Sequence, residues 1–369
     1  MKNTLAFNVP FSGFCGTTFI NCFTSTYMFL ENKTVGGSDY ACRQLDGESC
    51  NSCGNCGQGG GTPISRQEKF FFLFDTMCGR SALRCRFDGE PTAMQKMIGE
   101  TDFYDGGTEN NIDFLFGFAG WEFRTLTDSA TFKKEIVAAI DAGKPVLAKV
   151  KTGNARFRVI TGYDDDTLIC PDFTNAQQKP TAAPAYDELD VLYVIGNKIA
   201  PRYTLIDGLK RIQQVMEHNA SEKLWGGYSE KMGLFSADSL GKVGTEEKKS
   251  RMKRVAETMW HTFNCHNFAE VFRQYRDGDA AVYDGVGNMN KLRHPDCKPL
   301  CHQIGGPCHG YTHDLAWALI GLEECANWDT HVGQCGYYGE MVELTLRQIA
   351  TNDAGVLDAI KKAITIVEK

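Results

Sequence analysis

The first 217 residues of this 369-residue chain contain no histidine; its eight histidines begin at His218. Any chemistry in the N-terminal half must therefore use another proton carrier or borrow one from the C-terminal half. Excess positive charge is missing too. Asp and Glu outnumber Lys and Arg by 46 to 39, for a net charge of −7. With no basic stripe, nucleic acid is not an expected partner. Long apolar runs are also lacking. The longest near the N-terminus, Thr17–Leu30, is broken by Asn21, Thr24, Ser25 and Thr26, so it is too short and polar to span a bilayer, and no membrane association is expected. The stretch after Lys2 has neither a continuous apolar core nor an Ala-x-Ala cleavage pattern, so no signal peptide is read. No internal repeat or low-complexity tail is present.

Cysteine, by contrast, is plentiful. There are 15, an odd number, so at least one thiol is unpaired. Without a secretory signal, a disulfide scaffold is not the expected arrangement. A reducing, cytoplasmic setting is expected, with many of these thiols acting as small buried hydrophobes. The 42% hydrophobic and 23% charged content fits a globular chain with an ample core.

Helical spacing of Phe19, Cys22, Phe23, Tyr27 and Leu30 predicts one helix over residues 14–30. Residues 31–66 form a long Cys-, Gly- and Asn-rich excursion, and the Phe run at 70–74 predicts a buried helix over 67–78. Phe114–Phe118 and Trp121–Leu126 read as short strands, or as a strand and a turn. Asp128 or Ser129 caps a helix over Thr131–Ala142, which Gly143 ends. Strands follow at Pro145–Val150, Arg156–Tyr163, Thr167–Cys170 and Val191–Ile195. After Pro201 the pattern turns helical, with one face made by Leu205, Leu209, Ile212 and Met216. Further helices are expected at about 246–275, 312–324, 340–350 and 356–367. Residues 1–200 and 201–369 are the expected domains.

Cys15 stands at the start of the first helix, where peptide dipoles and unpaired N–H groups favour the thiolate and can hold an oxyanion. Downstream, three segments follow in order: Gly143-Lys144-Pro145-Val146, Val159-Ile160-Thr161-Gly162-Tyr163-Asp164, and Leu168-Ile169-Cys170-Pro171-Asp172. With Cys15-Gly16, this order resembles the C39-like and BtrH-like branch of the papain-type superfamily. There a nucleophilic Cys heads a central helix, and a His–Asp pair sits on the facing antiparallel sheet. The resemblance covers roughly residues 5–200. It implies an α+β, papain-like domain followed by an all-helical one. It also implies Cys15 as nucleophile and Asp172 in the third position of the triad. The slot of the family's histidine holds Arg156, which stays protonated and cannot be a general base at neutral pH. The oxyanion-hole Gln is also missing from its usual place, with Asn8 a distant candidate. Arg156 can stabilise a thiolate or hold an anionic group. A histidine from the helical half, His261 or His266, can complete the site. Gly16, Tyr163 and Trp260 are the candidate substrate contacts.

Three functions stay open. The first is acyl transfer or amide or thioester hydrolysis on a small molecule, peptide or acyl thioester. The second is a catalytically silent binding protein using Arg156 for an anionic ligand. The third is a metal–thiol protein. No cofactor is required by the first two, whereas Cys42, Cys50, Cys53 and Cys56 have the thiolate character of a zinc or iron–sulfur site. A second group, Cys297, Cys301, His302, Cys308, His309 and His313, lacks zinc-finger spacing and reads as capping and packing. A second copy of the chain is a candidate partner.

Overall fold

Seven strands and seven long helices are set out below from a computed structural model. It describes residues 2–9, 18–33, 66–84, 92–99, 107–151, 157–171, 182–222, 224, 246–247, 267–276, 283–327 and 332–369. The fold is mixed α+β, with antiparallel sheets. By contact density the chain divides into two compact units, Met1–Phe74 with Tyr104–Thr204, and Asp75–Phe103 with Leu205–Lys369. Among the described residues no helix is long and apolar enough to cross a membrane.

The first unit is built on a four-stranded sheet in the order β2-β7-β3-β4, with β2 Trp121–Leu126, β3 Val146–Val150, β4 Phe157–Ile160 and β7 Leu189–Lys198. All its pairings are antiparallel. Val146 of β3 stands between Val194 of β7 and Ile160 of β4. In a second sheet, β1-β5-β6, the central β5 (Gly162–Asp164) pairs with β1 (Lys2–Thr4) on one side and β6 (Thr167–Ile169) on the other. Thr161 separates β4 from β5, so the chain changes sheets at one residue.

One face of the larger sheet takes helix α4, Ser129–Asp141. Asp128 starts it by accepting a hydrogen bond from the Ala130 amide at 3.1 Å. Gly143, at φ +78°, ends it. The Gly143 and Lys144 amides donate to Ile140 and Ala139 carbonyls at 2.9 Å, closing the last turn. Phe132, Ile136 and Ile140 pack on Val146, Ala148, Ile160, Leu192 and Val194.

Against the other face lies α1, Phe19–Leu30, ten of whose twelve residues are buried. Its rings knit the layer together. Phe19 meets Phe157 at 5.3 Å and Tyr193 at 5.8 Å between centroids. Phe23 meets Phe74 of α2 (Arg66–Met77) at 5.1 Å and Phe116 of α3 (Glu109–Ala119) at 5.0 Å. Full burial of each such ring contributes about 2–3 kcal/mol.

Three sequence expectations change. The first helix does not run from residue 14. Thr18 is extended, and its hydroxyl accepts from the Asn21 amide at 3.2 Å, so the helix begins at Phe19. Phe114–Phe118 is not a strand but part of α3. The alternating Phe114, Phe116 and Phe118 mimic period two, yet both sides of this segment are buried, so periodicity carries no signal. The Thr108 hydroxyl caps the Asn111 amide at 3.1 Å, and Gly120 at φ +74° takes the left-handed C-terminal position. Finally, residues 340–350 and 356–367 belong to one helix, α7 (Val332–Val367). Arg84 donates to both Asp353 oxygens, at 2.9 and 2.7 Å, so the Asn352-Asp353-Ala354-Gly355 stretch is held in helix by a buried partner.

In the second unit, α5 (Leu205–Ser221) buries Leu205, Leu209, Ile212, Val215 and Met216, and α7 packs against α5 and α6 (Cys297–Asn327). Asp75 is fully buried there. Arg80 Nε donates to one of its oxygens at 2.5 Å and Asn267 Nδ2 to the other at 3.2 Å. Burial raises the Asp75 pKa, against the pull of Arg80 and Asn267.

Two substitutions test this packing by urea unfolding. Phe157→Ala empties the contact with Phe19 and Tyr193, and is expected to cost about 4 kcal/mol. Gly120→Ala puts a Cβ 2.7 Å from the Ile199 carbonyl oxygen at a positive φ, with an expected loss of about 2 kcal/mol.

Candidate active site

The described segments nearest in sequence to Cys15, Arg156 and Asp172 are the start of α1, the start of β4 and the residues after β6. Phe19 is the first residue of α1 and Phe157 the first of β4, and their rings meet edge to face. Both are 0% exposed. Cys22, one turn further along α1, is fully buried, as expected of a core thiol.

Arg158 lies two residues into β4 in an otherwise apolar strand, and it is buried. Desolvation lowers its pKa, and the thiols of Cys22 and Cys170 oppose that shift. A guanidinium nevertheless stays charged at neutral pH. The three groups thus bring a fixed cation, the inner side of α1 and the residue after β6 within electrostatic reach. Cys170 itself is pushed up to about 12 by burial, against the pull of Arg158. In the sequence Arg158 is marked only as the one charge in Phe157–Ile160 and as a candidate ion-pair partner of Asp172.

Most expected site residues lie outside the described ones: Cys15, Gly16, Arg156, Asp172, Trp260, His261 and His266, together with Cys42, Cys50, Cys53 and Cys56. Tyr163 is described. It is 2% exposed, belongs to the core on the α4 side, and its hydroxyl donates to Asp141 Oδ1 at 2.8 Å. The Asn3 amide, and after it the Tyr163 hydroxyl, hold the Asp141 carboxyl below its usual range. Among the described residues, no group of three or more His, Cys, Asp or Glu side chains is arranged to hold a metal ion. Cys297 and Cys301 are buried on α6, while His302 is exposed. The backbone of His309 and His313 also lies in that helix, one turn apart.

No protein-family model, curated protein or solved structure matches the chain. The residues themselves carry what can be said of its chemistry.

Burial makes Cys78, Cys170, Cys297 and Cys301 poor nucleophiles. Burial raises the pKa of Cys78 to about 11 and of Cys301 to about 12, and raises that of Cys297. In the native protein at pH 7, peptide mapping after brief iodoacetamide treatment is expected to find Cys78, Cys170, Cys297 and Cys301 unmodified. All four become labelled in urea. Because these folded-state pKa values lie above the unfolded one, the stabilisation is complete below about pH 8.5. It is lost as pH rises toward 11–12, so the urea midpoint should fall over that range.

Proposed function

We propose that the chain is a cysteine-dependent acyl-transfer or thioester- or amide-hydrolysing enzyme of papain-like architecture, with Cys15 as nucleophile. One observation carries the reading: the first turn of α1 and the first residue of β4 meet at Phe19 and Phe157. Cys15 precedes Phe19 by four residues, Arg156 is bonded to Phe157, and Asp172 follows Cys170 by two. All three stand close in sequence to the ends of described elements, which supports taking them together. The antiparallel β3-β4 pair and the β5–β6 hairpin support the reading further, since they follow the strand order of the papain-type pattern.

In this mechanism the Cys15 thiolate attacks the substrate carbonyl. The tetrahedral oxyanion collapses, the carbon–leaving-group bond breaks, and an acyl-cysteine thioester remains. An amine or water then attacks that thioester and regenerates the thiolate. Arg156 favours the thiolate over the thiol. A cation in place of an imidazole suits a thioester substrate, because a departing thiolate needs no proton. The incoming amine or water must lose a proton to a base.

A second reading has its own support. With α1 starting at Phe19, Cys15 lies three residues ahead of the Thr18 cap rather than in the first helical turn. That weakens dipole activation and favours a binding protein in which Arg156 holds an anion.

The deciding experiment is the pH dependence of Cys15 alkylation in the native chain and in Arg156→Ala. An active nucleophile shows an apparent pKa well below about 8.5, rising in the variant. A Cys15 that is inert, or that titrates as a free thiol in both proteins, overturns the enzymatic reading. In an acyl-thioester assay, Cys15→Ser is expected to lose at least about a thousandfold in rate.

A further inference from the structure

The hairpin of α6 and α7 carries an apolar surface that is exposed among the described residues. Trp317 is 69% exposed, Tyr337 61% and Leu344 52%. Ile320 and Met341 are half-buried. Helical phase puts these side chains on one face. The two helices are joined by four residues and pack along their length, the arrangement of an antiparallel pair. Gly321 meets the Tyr338 ring, which its own Cβ would approach within 2.4 Å, so 321 and 338 are level and each points at the other helix. On α6, Leu315, Leu319 and Leu322 are buried below that contact, and on α7, Val342, Leu346 and Ile349. At 3.6 residues per turn, Trp317 and Ile320 rise on the opposite side of α6. Tyr337, Met341 and Leu344, at i, i+4 and i+7, rise on the same outer side of α7. Trp317 is level with residue 342, so it stands beside Met341 and Leu344.

We propose that this face is the interface of a two-fold homodimer, in which two hairpins stack into a four-helix bundle. The area is of the right size. Three side chains with these exposures present about 400 Å². A homodimer of standard size buries about 800 Å² per partner, roughly two-thirds of it apolar. The charges at the edge select a second copy over an unrelated partner. Glu340 and Arg347 are both exposed and stand seven residues apart on α7, flanking Leu344. A two-fold axis near Leu344 sets α7 antiparallel to its copy. It brings each Glu340 opposite the Arg347 of the other chain, twice. An isologous interface requires this kind of self-complementarity.

Sedimentation velocity of the full chain across a concentration series tests the assignment. A reversible dimer is expected. Trp317→Ser with Leu344→Ser is expected to be monomeric with an unchanged far-ultraviolet circular dichroism spectrum. Glu340→Arg or Arg347→Glu alone places like charges together and weakens the dimer at least about tenfold. The double reversal restores the pairs, and with them the dimer. A wild-type monomer at every concentration overturns the proposal, whether or not iodide quenching shows Trp317 shielded by another part of the chain. A dimer indifferent to the serine pair, or a double reversal no better than the single ones, overturns it as well.

Discussion

The first unit depends on the packing of Phe19 against Phe157 and Tyr193. This contact couples the helix that follows the expected nucleophile to the strand that follows Arg156. Both partners are wholly buried, and edge-to-face aromatic contacts prefer a particular relative orientation as well as burial. Phe23 and Tyr27 extend the contact down α1 toward α2 and α3, while α4 fills the opposite face of the sheet. Any chemistry at the head of α1 thus inherits its geometry from a rigid aromatic layer.

Elements with their own local punctuation were legible in the sequence. Helix α4 has a capping Asp128, a clear apolar stripe and a stop at Gly143. The β5–β6 hairpin has its turn at Asp165 and Asp166. Helix α5 has one uninterrupted apolar face. Elements whose identity depends on distant partners were not. The Phe114–Phe118 alternation reads as a strand because burial on both sides erases the helical period. The Asn-Asp-Ala-Gly stretch at 352–355 reads as a break because Arg84, which neutralises Asp353, is 269 residues away. Thr18 is one of several Thr and Ser residues near the first helix, and sequence alone does not say which of them caps it.

The candidate site rests in the sequence on an order of motifs: Cys-Gly, Gly-Lys-Pro-Val, Gly-Tyr-Asp and a final Asp. The burial of the residues next to those motifs was not legible. A single Arg158 among Phe157, Val159 and Ile160 marks a buried cation only once the strand is seen to be covered on both faces. Tyr163 reads equally well as a ligand contact or as core, and its hydrogen bond to Asp141 makes it a brace between the hairpin and α4.

Asp75 also bears on the order in which the chain acquires its shape. It sits near the end of a phenylalanine-rich helix, and one of its two side-chain partners, Asn267, is 192 residues further along. When this helix first leaves the ribosome, that partner has not been synthesised, so Arg80 alone offsets the desolvation cost of burying the carboxylate. The last turn of α2 therefore gains its full set of side-chain hydrogen bonds only once the C-terminal half of the chain exists.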